Sequence, residues 1–257
     1  FGSQFVHKSA DKGLTWKIIS PDLTTNDPEK QKQSESGGLT MDATGAENHT
    51  TLLVIEPSKV EKDMLWTGSD DGRVHYSING GQTWTDVTAN IKGLPKGSWI
   101  PQIKASTRNK GEALLIANDY RRFNYTPYAY RTKDYGKTWT LITNGIKNMD
   151  YTRVIRTDLV REGLLYAGTE WGMYISFDDG KSWSPFQMNL PITSIRDLQV
   201  RDNDLIVATH GRSFWIIDDL TPLHQLSNEI TNSDFHLYKP DTSYRMHQSG
   251  GWSEPNM

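Results

Sequence analysis

Four ionisable side chains, Asp70, Asp119, Glu170 and His210, stand at one recurrent position of the chain. Each follows an apolar run that ends in small residues: 64–68, 113–117, 164–168 and 205–208. Two carboxylates across a cleft can serve as acid and base on a glycosidic bond, with about 6.5–9.5 Å between them for inversion. The same groups can instead hydrogen-bond sugar hydroxyls or pair with a partner's charges, with Arg212 as a bidentate donor. Glu47 and His49, in the long connection 21–50, belong with them. The candidate ligand-binding set is therefore Asp70, Asp119, Glu170, His210, Arg212, Glu47 and His49, with no catalytic residue assigned. An insertion at 119–128 adds Tyr120, Arg121, Arg122, Phe123 and Tyr125. Aromatic rings with arginines suit sugar stacking or protein hot spots.

Other chemistries lack their residues. The chain has no Gly-rich phosphate loop, no His-Glu-x-x-His pattern and no nucleophile elbow. Its seven histidines have no ligand spacing, so neither a metal nor a cofactor is expected. Cysteine is absent, which excludes disulfides and thiolate catalysis. The net charge of −3 offers no basic field for nucleic acid. No apolar run approaches the roughly 18 residues of a membrane span. Residues 1–20 hold no signal peptide.

The elements that position the candidates come from a repeat. Ser/Thr, any, Asp/Asn, any, Gly, any, Thr/Ser, Trp occurs at 9–16, 77–84, 132–139 and 176–183, and the starts are 68, 55 and 44 residues apart. Asp or Asn accepts amide hydrogens within its own turn, Gly supplies positive φ, and Trp opens the next strand. Asn79 replaces the acid in the second copy, which a turn tolerates and a catalyst rarely does. Around each copy the alternation predicts four strands, A to D, with the repeat as the C–D hairpin. The fold class is all-β: a propeller of four-stranded antiparallel blades. Trp16, Trp84, Trp139 and Trp183 should occupy equivalent packed positions.

The chain opens at 4–7 as a strand C, and 202–218 supplies only B and C. Residues 1–218 thus read as a propeller segment of three complete and two partial blades. Residues 219–257 read as an exit segment that adds a closing strand near 235–238. An open arc is expected, with the remaining blades in the same longer polypeptide or another chain. Turns alternate between strand ends, so the B–C and D–A turns, which carry the candidate set, should lie opposite the repeats.

With these residues in view, the chain resembles bacterial Asp-box (BNR repeat) propeller proteins related to the sortilin N-terminal propeller, often named glycosyl hydrolases. The stretches that carry the resemblance are 19–24, 33–40, 45–50 and 208–219. It implies an extracytoplasmic protein: periplasmic, cell-surface or secreted. Sialidases share the repeat and use three arginines on a substrate carboxylate. Arg153 and Arg196 stand at similar A-strand positions, but the neighbouring blade offers Gln102 and the Phe-Arg-Ile-Pro motif is missing. The expected function is binding of glycan or protein on the face opposite the repeats. The alternative is glycoside hydrolysis by a carboxylate pair on that face, and a structural scaffold ranks third.

Overall fold

A computed structural model describes residues 2–31, 49–240 and 242. Glu47 and the stretch 33–40 lie outside the described residues. A two-stranded piece, β1 (His7–Lys8) and β2 (Lys17–Ile18), comes first. Three four-stranded antiparallel sheets follow in strict sequence order. They are β3 (Leu52–Pro57), β4 (Leu65–Ser69), β5 (Val74–Ser77) and β6 (Thr85–Asp86); β7 (Trp99–Ala105), β8 (Ala113–Asp119), β9 (Asn124–Thr132) and β10 (Thr140–Leu141); β11 (Thr152–Thr157), β12 (Leu165–Thr169), β13 (Met173–Ser176) and β14 (Ser184–Pro185). The last sheet has β15 (Ile195–Arg201), β16 (Asp204–Thr209) and β17 (Phe214–Asp218). The architecture is a partial β-propeller whose blades are these meanders, and the sheets do not close on one another.

The repeats are the C–D hairpins, and one hydrogen-bond scheme builds all four. Asp11 accepts the amide of Thr15 at 2.9 Å and its hydroxyl at 2.6 Å. Asp134 does the same with Thr138, and Asp178 with Ser182. Asn79 keeps the amide bond to Thr83 at 2.9 Å and donates its own NH₂ to the Thr83 hydroxyl. The opening hydroxyl of each repeat accepts the amide of its glycine, for example Ser176 from Gly180 at 2.9 Å, where φ is +83°.

These bonds set an acid dependence. The Thr15 hydroxyl, then its amide, hold Asp11 down to about 2. At Asp134 and Asp178 partial burial opposes the shift, and the bonds from Thr138 and Ser182 outweigh it. A depressed folded-state pKa contributes stability above the ordinary carboxylate value near 4 and loses it as pH falls toward 2. Urea midpoints should therefore drop on acidification through that window, and Asp134→Asn together with Asp178→Asn should flatten the profile. An unchanged slope in the double variant would refute the assignment.

Apolar packing sits in four layers between consecutive sheets. Val6, Leu23 and Leu52 form the first, and Trp66, Ile100, Leu115 and Tyr130 belong to the second. Ile116, Ile155, Leu165 and Trp183 belong to the third, and Val154, Tyr166, Ile195 and Leu205 to the fourth. The small residues closing each B strand permit this approach. A Cβ on Gly68 would lie 2.5 Å from Ile100 Cγ2 on the next A strand, and one on Gly168 would lie 2.5 Å from Ile195 Cγ2. Gly168→Ala should therefore destabilise by about 1–3 kcal/mol through overpacking, read as a shift in urea midpoint. A loss below about 0.5 kcal/mol would mean the interface relaxes freely.

The repeat tryptophans are not equivalent in burial. Trp139 and Trp183 are 8% and 4% exposed, Trp84 is half-buried, and Trp16 is 52% exposed. Each of the later three repeats packs on the residue just after the preceding strand D. Trp84 donates its indole N–H to Ile19 O at 3.0 Å, Gly136 lies against Val87, and Trp183 donates to Ile142 O at 2.6 Å. Trp16 is instead half-exposed and bonds Gly13 O within its own turn, so the expectation of four equivalent positions fails there. Two other readings are corrected. Residues 235–238 form no strand; the exit instead carries short helices α1 (Thr221–Gln225) and α2 (Asn228–Thr231). Residues 119–128 are no loop insertion either, because β8 runs through Asp119, a single 3₁₀ turn covers Tyr120–Arg122, and β9 resumes at Asn124.

Candidate functional site

The A–B turns meet the repeats at one end of each four-stranded sheet. Gly80 N bonds Asp63 O, Tyr135 N bonds Gly111 O, and Asp179 N bonds Gly163 O. The B–C turns lie at the other end, tied to the residue that enters strand A. Asp70 N bonds Thr51 O at 3.0 Å, Glu170 N bonds Tyr151 O at 3.2 Å, and His210 N bonds Ser194 O at 2.9 Å. Asp119 ends β8 at the matching register, so the four candidates share the face opposite the repeats.

Their partners differ from blade to blade. Asp70 is buried, accepts the Thr51 amide at 2.8 Å, and has His49 Nδ1 at 3.5 Å, an ion-pair distance without hydrogen-bond alignment. Asp119 is buried and takes Arg122 Nε at 2.5 Å. Glu170 accepts Arg153 Nε at 2.5 Å and the Ser194 hydroxyl at 2.9 Å. His210 is exposed and receives Arg196 Nε on Nδ1 at 3.1 Å. Arg212, also exposed, uses its backbone to hold the turn, with its amide on the Thr209 hydroxyl and its carbonyl on the Trp215 indole.

Arg153 and Arg196 reach these turns because each is the extra residue of a β-bulge. The A–B pairing shifts register between Thr152 and Val154, and again between Ile195 and Asp197. A bulge re-aims the residue it inserts. The equivalent bulge of the second blade holds Leu53, which cannot pair, and Asp70 turns to the Thr51 amide instead. Gln102 is not the counterpart of these arginines. It pairs with Ile116 in the regular ladder, and its amide bridges to the Ile155 backbone at 3.0 and 3.1 Å.

Aromatic rings adjoin the arginines. Tyr120 stacks on Tyr151 with centroids 4.9 Å apart, and Tyr125 lies 6.2 Å from Tyr151. Arg121 lies 3.3 Å over the Trp99 ring, and Arg153 lies 4.8 Å from the Tyr151 centroid. The Tyr151 hydroxyl bonds Arg153 Nη2 at 2.5 Å. Burial raises the Tyr151 phenol well above its ordinary value, with Glu170 adding to the effect. For Glu170 burial opposes ionisation, but the Arg153 and Ser194 bonds prevail and hold the carboxyl below the ordinary range. Trp171, next in sequence, is exposed and shares a groove of about 460 Å³ with Met149 and Ile192. Sequence reading did not single out Tyr151, Trp171 or Ser194. Trp171 had a detectable signal, an aromatic residue in a tight B–C turn.

The BNR/Asp-box repeat family model matches residues 174–185, the strand and hairpin of the fourth repeat. No curated protein sequence matches the chain. In fold it is similar to an ancestral GH74 enzyme, with a TM-score of 0.58 and 13% identity over 80% of this chain and 25% of that one. It is also similar to the GH74 enzyme of Niastella koreensis, with a TM-score of 0.53 and 13% identity over 79% of this chain and 30% of that one. A third similar structure is YCF48 bound to D1 peptide, with a TM-score of 0.51 and 16% identity over 83% and 58%. The chain thus spans between a quarter and three-fifths of these proteins. At such identities the likeness is one of fold. Repeat and fold agree: this chain is a run of BNR/Asp-box β-propeller blades.

Proposed function

We propose that this propeller segment is an extracytoplasmic binding module that takes a glycan or protein ligand on the face opposite the Asp boxes. The observation that carries the reading is the cluster of Tyr120, Tyr151, Arg121 and Arg153, stacked at the ends of two adjacent blades. Aromatic faces with guanidinium groups favour sugar rings and protein anchors alike. A similar fold is seen with a peptide bound in YCF48. Exposed His210, Arg196 and Arg212 extend the polar part of the surface, and Trp171 extends its apolar part.

Hydrolysis is less well supported. A general acid needs a carboxyl raised toward the working pH. Glu170 is pushed in the opposite direction, and Asp119 is engaged by Arg122. The test is a screen of the full protein against soluble polysaccharides and extracellular protein fractions, with reducing ends assayed in parallel. Binding without new reducing ends is expected, and Tyr120→Ala should weaken it by about tenfold or more. Turnover abolished by Glu170→Gln, with ligand affinity retained, would overturn the binding reading in favour of catalysis.

A further inference from the structure

On the same face, the second and third blades and the segment before the long connection enclose a small cavity of about 170 Å³. That is below the roughly 300 Å³ at which drug-sized pockets begin, so it suits one chemical group rather than a chain. Three cations border it: Lys30, Arg121 and Arg122. Lys30 is held there because Asp71 binds the Thr25 amide and hydroxyl, at 2.6 and 2.7 Å, and Gln31 bonds the Thr50 hydroxyl. Lys30 Nζ and Arg122 Nη1 converge on Gly97, whose φ of +75° and lack of a side chain leave a recess. A Cβ there would lie 3.8 and 3.9 Å from the two nitrogens. Arg122 meets the cavity's carboxylate, Asp119, through Nε, with its Nη1 toward Gly97. Lys30 has no carboxylate partner among the described residues.

Asn118 supplies the second, independent sign. It is buried and lines the cavity, yet its side-chain amide has no hydrogen bond among the described residues. The residue is 6% exposed and its amide opens onto the cavity, so a group bound there can take up hydrogen bonds that no described residue uses. The Lys30 ammonium, the Arg122 guanidinium and an unused amide are groups of the kind that recognise an oxyanion.

We propose that this cavity is a subsite for a compact oxyanion on the ligand, a carboxylate or a phosphate ester. The proposal rests on the binding reading of this face and names the charge of the ligand. Titration calorimetry on the full chain with D-glucuronate, glucose 6-phosphate and D-glucose tests it at low and high salt. At least one anion should bind about tenfold or more tighter than glucose and weaken with salt. Glucuronate alone would assign a carboxylate, and glucose 6-phosphate alone a phosphate. Lys30 is exposed, so Lys30→Glu should fold normally and weaken the anion by about tenfold or more. Asn118→Ala should weaken it several-fold, while Lys137→Glu, on the Asp-box face, should leave it unchanged.

Equal affinity for glucose and both anions, or an unaltered anion affinity in Lys30→Glu, overturns the subsite. Suppose instead that a glycan or protein from the screen depends on Tyr120 but is indifferent to Lys30→Glu. The subsite then falls while the binding face stands. Anion binding lost in Lys30→Glu, with no Tyr120-dependent ligand found, has the reverse meaning.

Discussion

Trp183→Ala is expected to cost about 3–5 kcal/mol, and Trp16→Ala less than about 0.5 kcal/mol. Both residues close an identical eight-residue pattern, so the difference comes wholly from tertiary surroundings. Trp183 is 4% exposed, packs with Ile116, Ile142, Ile155 and Leu165, and donates its indole N–H to Ile142 O at 2.6 Å. Truncation would leave a cavity between the third and fourth blades and strand a buried carbonyl. Trp16 is half-exposed, with its indole bonded to Gly13 O within its own turn at 3.1 Å. Trp139 should resemble Trp183, with Trp84 between the extremes. Urea denaturation of the four variants checks the order. Equal losses at Trp16 and Trp183 would show that the tryptophan stabilises its own hairpin and not the junction between blades.

That contrast marks where sequence reading succeeded and where it stopped. Hairpin chemistry is local, because Asp134 and Thr138 find each other four residues apart, so the repeat and the strand phase around it were legible. Strand phase in turn placed Asp70, Asp119, Glu170 and His210 at matching turns on one face. What those residues touch was not legible. Arg153 meets Glu170, and Arg196 meets His210, only because a bulge inserts one residue into each A strand. A bulge leaves no mark in an alternating pattern. For the same reason Gln102 looked equivalent to the arginines while sitting on a regular ladder position. Burial of Trp16 failed as an expectation because exposure depends on the neighbouring sheet, which no local motif reports. The exit segment misled differently: Phe235 to Tyr238 alternates like a strand, yet no edge among the described residues pairs with it.

Asp158→Ala carries the other large effect, and it acts through that exit segment. Asp158 sits in the A–B turn of the fourth blade with 0% exposure. One carboxylate oxygen accepts the amides of Val160 and Arg161 at 2.8 and 2.7 Å. The other accepts the Tyr166 hydroxyl at 3.1 Å and has His224 Nε2, from α1, at 3.0 Å. Arg161 completes the junction by donating to the carbonyls of Leu223 and Leu226 at 2.6 Å. Alanine would leave two turn amides, a fully buried phenol and an imidazole without their acceptor. Removing one member of such a buried charged network costs about 3–5 kcal/mol. His224→Ala removes only the contact to the exit helix and should cost about 1–2 kcal/mol. Hydrogen exchange separates the two effects, because it reports segments rather than the whole chain. Both variants should speed exchange in 221–231, whereas only Asp158→Ala should also loosen 158–166. If His224→Ala leaves 221–231 as protected as in the parent protein, the helix is held by Leu220 and the Arg161 bonds. The carboxylate would then serve the turn alone.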